Sequence, residues 1–272
     1  MIIIIIIMKI ASQEGLLPGK SFEEKVRNAE FLKLKGIELA GRGIEERVKE
    51  IREVISSYNI QISTICSGYR GDLLGIDRKD RELALEDIKV RLKISADLGA
   101  VGVIVVPTFG GPKLPDLYPL YNNVWEVEKR LLIEELKELD KYGNDVGSYV
   151  LLEPLNRYET HFLNRVEQAV QIVEQGGYEN VKIMADFFHM NIEESEIADA
   201  IKTGGRYLKH IHLADSNRVL PGFGHTAFEE PFRALKEVNY NNFMAFECRV
   251  PEPRLENLRK SISFLENIIK RL

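Results

Sequence analysis

The chain has 272 residues, 44% of them hydrophobic and 29% charged. That is enough apolar material for a sizeable core, and it excludes a chain that stays disordered. The net charge of −5 argues against a general nucleic-acid-binding surface, and the two cysteines, Cys66 and Cys248, form no close-spaced motif and fit a reducing cytoplasm.

Residues 2–10 are an apolar run that starts with consecutive isoleucines, and they read as a first buried strand. The run is too short to cross a bilayer and lacks the basic flank of a signal peptide. Met8 offers a second start, at the expense of that strand. Ser21 caps a helix running to about residue 35, with Glu24 completing a capping box and Gly36 as the stop. A second strand over 37–40 and an amphipathic helix over 45–58 follow. Residues 60–66 alternate as a third strand, and 79–98 form its helix. The fourth strand is 101–107, followed by the long loop TFGGPKLPDLYPLY and a helix over 122–142. Strands over 147–153, 181–186, 208–214 and 243–248 then alternate with helices over 166–175, 193–202, 228–238 and 254–271.

Strand–helix alternation implies parallel strands joined by right-handed crossovers. Eight such units predict a single (β/α)8 TIM barrel over residues 1–272, with its active site at the C-terminal ends of the strands. The long loop after the fourth strand falls on that face, as a substrate lid would.

The stretch VLLEPLNRYETHFLN runs apolar and then turns polar at Glu153. VKIMADFFHMN, LKHIHLADSNR and FMAFECRV repeat the pattern, so Glu153, Asp186, His212 and Glu247 end four consecutive strands. Neighbouring strands lie about 4.8 Å apart, so four such side chains can converge. A lone acidic residue at a strand end is most often a helix cap or an ion-pair partner. Four ligand-type residues at the same end of four consecutive strands point instead to a shared metal site. Three carboxylates and one imidazole suit one divalent ion, with Mn²⁺ expected and Co²⁺, Mg²⁺ or Zn²⁺ as alternatives.

The strings EPLNRYETHFLN, ADFFHMNIEE, HIHLADSNR followed by GH, and FEC carry a resemblance. With them the chain resembles the xylose-isomerase-like TIM-barrel superfamily, and within it the D-tagatose and D-psicose 3-epimerases. The resemblance is strong over the last four strands and extends to the first half in layout only. It implies that Glu153, Asp186, His212 and Glu247 bind the metal and that Glu153 and Glu247 are the catalytic acid/base pair. It also implies that Glu159, His189, Arg218 and Cys66 contact the sugar. The expected partner is a small sugar, with no nucleic acid and no membrane. Relatives of this kind are often dimers or tetramers, so a homo-oligomer is expected.

The reaction so implied is 3-epimerisation of a ketose or keto-sugar acid. The proton next to a ketone leaves to give an ene-diolate, stabilised by the metal, and one base is needed on each face of it. The acid is suggested by a departure from the ketohexose enzymes, which generally carry an aromatic residue near the last glutamate. Here Arg249 shares the strand parity of Glu247, and with Arg157 and Arg218 it would suit a carboxylate. An aldose–ketose isomerase, a hydroxypyruvate-type isomerase or an inosose dehydratase would use similar chemistry. An AP-endonuclease-like nuclease would need histidines from the third and fourth strands, and all five histidines lie from His161 onward. His210, one layer below His212, and Trp125 read as packing, and His161 and His225 carry no assigned role.

Overall fold

A computed structural model describes residues 8–272. Its strands are β1 (Lys9–Gln13), β2 (Gly36–Ala40), β3 (Gln61–Cys66), β4 (Gly102–Val105), β5 (Tyr149–Leu152), β6 (Val181–Asp186), β7 (Leu208–Leu213) and β8 (Phe243–Phe246). They close into one barrel in sequence order, every neighbouring pair parallel. The helices are α1 (Phe22–Phe31), α2 (Val48–Ile55), α3 (Arg78–Asp97), α4 (Val124–Val146), α5 (Val166–Gly176), α6 (Phe187–Glu193), α7 (Ile197–Gly204), α8 (Glu229–Glu237) and α9 (Arg254–Arg271). The fold is the expected (β/α)8 TIM barrel. Among the described residues no helix is long and apolar enough to cross a membrane.

The helices form where an apolar stripe has a barrel to cover. In α1 the residues Phe22, Val26 and Ala29 recur at helical spacing and are buried. Ser21 Oγ accepts from Glu24 N at 3.2 Å, while the Glu24 carboxylate reaches past the cap to Lys20 N, at 2.6 Å. Inside the barrel, Ile104, Leu151 and Met184 form one apolar cluster, and Ala11, Phe243 and Ala245 another. The interior also holds polar residues, because Glu38, Thr64 and His210 are all fully buried there.

Three expectations need correction. The strand that closes the barrel against β8 is Lys9–Gln13, pairing Ala11 with Ala245, so the first strand, expected to end at residue 10, runs on to Gln13. Residues 2–7 lie outside the described residues, and β1 lies wholly after Met8. The second helix is shorter than expected, with a 3₁₀ turn at Ile44–Glu46 ahead of Val48–Ile55. The unit after β6 holds two helices rather than one. Asp186 caps the first of them, α6, by accepting from Phe188 N at 2.7 Å.

Candidate active site

The parallel strands deliver Glu153, Asp186, His212 and Glu247 to one point at the C-terminal end of the barrel. One ligand atom from each lies within 4.8 Å of all the others. Asp186 and His212 are direct cross-strand partners. His212 Nδ1 is 2.8 Å from Glu247 Oε2, 3.6 Å from Glu153 Oε1 and 3.7 Å from Asp186 Oδ2. None of these contacts is aligned as a hydrogen bond, so this fully buried nitrogen has no hydrogen-bond partner.

The other ring nitrogen explains why. His212 Nε2 lies 2.9 and 3.0 Å from the two oxygens of Glu38, a carboxylate buried inside β2. Glu38 also accepts from Thr64 Oγ1 at 2.6 Å and Gln13 Nε2 at 2.9 Å, and faces His210 Nε2 at 2.8 Å. Burial alone would raise its pKa, but the two imidazoles outweigh burial and hold it ionised. An ionised Glu38 accepts from His212 Nε2, and the carboxylates around the ring outweigh burial and push its pKa well up, so a cation among the three carboxylates would take the place of the Nδ1 proton. An imidazole nitrogen with no hydrogen-bond partner, set among three carboxylates, is a donor set that fits a divalent cation. Burial pushes the Glu153 carboxyl up from its ordinary value. Asp186 is held low, since Arg218 and the histidines outweigh its burial.

The residues expected to meet substrate gather around this cluster. Arg218 Nη1 donates to Asp186 Oδ2 at 2.6 Å and Nη2 to Glu247 Oε2 at 2.5 Å. Its guanidinium also lies over the Phe188 ring, 4.8 Å from the centroid. The Arg218 backbone is left-handed, with φ of 58°, a conformation that a non-glycine residue keeps only when its surroundings enforce it. His189 Nδ1 faces Asn156 N at 3.2 Å and Asn156 Nδ2 at 2.7 Å, both of them donors. The His189 proton therefore sits on Nε2, which is 3.7 Å from Asp186 Oδ2. Asn156 Nδ2 also donates to Glu159 at 2.9 Å. Cys66 Sγ lies 4.0 Å from Glu247 Oε1, and burial with the nearby carboxylates keeps it a neutral thiol.

A family model described as a xylose isomerase-like TIM barrel matches residues 26–268. The 3-dehydro-D-guloside 4-epimerase of Escherichia coli is 30% identical over 95% of this chain and 99% of its own length. The D-psicose 3-epimerase of Enterocloster bolteae is 40% identical over 46% of this chain and 42% of its own. The crystal structure of a 3-keto-D-glucoside 4-epimerase from E. coli superposes with a TM-score of 0.87 at 28% identity, covering 96% of this chain and 100% of the other.

The chain belongs to the xylose isomerase-like TIM-barrel family.

It is an isomerase of the carbohydrate-epimerase kind within that family. Two residues that contact the cluster carry no signal that the sequence analysis used. Gln13, at the end of β1, donates to both Glu38 and Glu247 at 2.9 Å, and Glu38 positions His212. Glu38 did leave a signal, as a lone carboxylate in the apolar strand GIELA. The arginine cluster expected for a substrate carboxylate is not assembled. Arg249 is exposed and donates to Asn217 O at 3.1 Å, while Arg157 grips Glu193 at 2.9 Å through two nitrogens. Only Arg218 reaches the site. Trp125 packs as expected on Phe162 and donates to its carbonyl at 2.7 Å. His210 lies in the interior as expected but is bound to Glu38. The loop after β4 is tied to the β5 loop, where Gly110 N donates to Glu159 O at 2.8 Å.

Asp215 builds the loop that carries Arg218. Its two oxygens accept from the backbone N–H groups of Ser216, Gly222, Gly224 and Thr226, at 2.8 to 2.9 Å. Asp215→Ala removes four charge-assisted hydrogen bonds that a buried carboxylate makes to partly exposed donors, at about 3 kcal/mol. The melting temperature should fall by roughly 6–12 °C. Differential scanning calorimetry checks this, and an unchanged melting temperature would show the loop to be held otherwise.

Proposed function

We propose that this epimerase inverts the carbon beside the keto group of a sugar, using Glu153 and Glu247 as acid and base. One divalent cation, Mn²⁺ in the first instance, would be held by Glu153, Asp186, His212 and Glu247. The observation that carries the reading is His212 Nδ1, a buried nitrogen without a hydrogen-bond partner facing three carboxylates. When bound, the cation supplies positive charge opposite the negative charge that develops on the keto oxygen.

The two glutamates sit at the ends of an arc, just past β5 and β8, with Asp186 and His212 between them in barrel order. One starts ionised and takes the proton as the C–H bond breaks. The electron pair moves into an ene-diolate, and the protonated partner delivers its proton to the opposite face. After one turnover the two carboxyls have exchanged protonation states, and the reverse reaction restores them. Arg218 orients Asp186 and Glu247. His189 through Nε2–H, Glu159 and the neutral Cys66 thiol are the groups for substrate hydroxyls. A 4-epimerase of a 3-keto sugar and a 3-epimerase of a 2-ketose both invert the carbon next to the carbonyl. Both kinds of substrate therefore suit one site. The free thiols of Cys66 and Cys248 support a cytoplasmic enzyme, which we take to be a homo-oligomer.

The test is NMR in deuterated water with Mn²⁺-loaded protein, using a ketohexose panel and 3-keto glycosides. The expected result is deuterium at the carbon beside the carbonyl, together with the epimer. Metal-loaded protein that exchanges no proton on any of them overturns the reading.

A further inference from the structure

His161 takes no part in the metal cluster, yet it joins three segments around the site. It is half-buried on the loop after β5, two residues past Glu159. Its Nε2 lies 2.6 Å from Glu128 Oε2, on α4, and its Nδ1 lies 2.9 Å from Gly110 O, in the loop after β4. Glu128 is completely buried and its Oε1 has no hydrogen-bond partner. Among the described residues, His161 alone offsets the burial of that carboxylate.

The partners fix the protons on the ring. A carbonyl only accepts, so Nδ1 carries a proton and donates it to Gly110 O. A carboxylate oxygen and an imidazole nitrogen this close hold one proton between them, since two bare acceptors would repel. Both ring nitrogens are thus committed, and the ring cannot turn without stranding a buried carboxylate. Gly110 O also accepts from His161 N at 3.0 Å, and Gly110 N donates to Glu159 O at 2.8 Å. The contacts therefore run from α4 through His161 to the β4 loop, and from there to the backbone of Glu159. On either side of Gly110, the β4 loop is held to Asp72, which accepts from Thr108 Oγ1 at 2.9 Å and pairs with Lys113. The His161 bond fixes the part between, where the two loops meet.

We infer that His161, braced by Glu128, is a positioning residue that clamps the β4 loop onto the β5 loop and so sets where the Glu159 carboxylate meets substrate. Asn156 Nδ2 orients that carboxylate at 2.9 Å, and the clamp holds the backbone beneath it. The kinetic consequence rests on the epimerase reading, in which Glu159 binds a substrate hydroxyl and moves no proton. Loss of the clamp therefore weakens binding and spares the chemical step.

The test uses two substitutions that divide the ring between them. Glutamine places a nitrogen near the Nε2 position of histidine, and asparagine near the Nδ1 position. His161→Gln keeps the Glu128 contact and loses the Gly110 bond, and His161→Asn does the reverse. On Mn²⁺-loaded protein with a keto sugar, His161→Gln should raise KM about tenfold and leave kcat within about twofold, and His161→Asn should restore KM. Hydrogen exchange read by mass spectrometry should quicken in the β4 loop around Gly110 in His161→Gln, and less so in His161→Asn. A role confined to satisfying Glu128 reverses the order, because His161→Asn is then the damaged variant. Faster loop exchange in His161→Gln, with no turnover by wild type, would keep the clamp and sink the epimerase reading. Loop exchange and KM that stay unchanged in His161→Gln, or that follow the melting temperature in both variants, overturn the clamp.

Discussion

Glu153→Gln and Glu247→Gln each stop epimerisation, with a loss of about a thousandfold or more, while the barrel stays folded. Positioned proton transfer contributes roughly 10²–10⁴-fold, and inversion needs a functioning group on both faces of the intermediate. Glutamine keeps the size of the side chain, and in Glu247→Gln its one oxygen can still accept from Arg218, while Gln13, which donates to the other Glu247 oxygen at 2.9 Å, loses that acceptor. Each variant also keeps one base. That base can remove a proton and return it to the same face, which gives exchange without inversion. The two variants should therefore be complementary, each exchanging slowly with one epimer of the pair and hardly with the other. Deuterium incorporation from both pure epimers, with metal content measured alongside, reads this directly. Variants that exchange the same epimer, or that still invert, would remove the two-base assignment.

Glu38→Gln is expected to weaken metal binding by roughly 10–100-fold without touching a proposed ligand. Glu38 accepts from His212 Nε2, and that hydrogen bond makes Nδ1 the nitrogen a cation would take. An amide at the same position can present N–H to Nε2 instead. The ring would then move its proton to Nδ1, where a cation would have to displace it. Metal titration gives the affinity, and ¹⁵N NMR of the imidazole gives the tautomer. A purely structural role would lower stability yet leave the tautomer on Nε2. An unchanged affinity with the proton still on Nε2 would show that His212 orients itself.

Local pattern was sufficient for the barrel and for its four central residues. Period-two burial and strand–helix alternation are properties of short windows, so β6 and α9 were read at their observed bounds. A strand that runs apolar and ends in a carboxylate or imidazole announces its own orientation, because a parallel barrel opens all its C-terminal ends on one face. That is why Glu153, Asp186, His212 and Glu247 could be named together. Where polar residues continue the paired segment the same pattern misleads, as at β1, whose Ser12 and Gln13 pair with β2 beyond the expected end, since hydrophobicity does not say which residues find a neighbouring strand.

Tertiary structure alone decided which polar groups act through others. Gln13 meets Glu247 across 234 residues of sequence, and Glu38 meets His212 across 174. Such bonds exist only once the barrel has closed in one register. It also decided the arginines. Arg157, Arg218 and Arg249 look alike in sequence, but a long cation goes to the strongest acceptor within reach. Glu193 captures the first, Asp186 and Glu247 the second, and the Asn217 carbonyl the third. The chemistry of this protein was legible because the strand ends are set by local pattern. The partners that tune it were not, because they are set by which side chains the closed barrel brings within about 3 Å of one another.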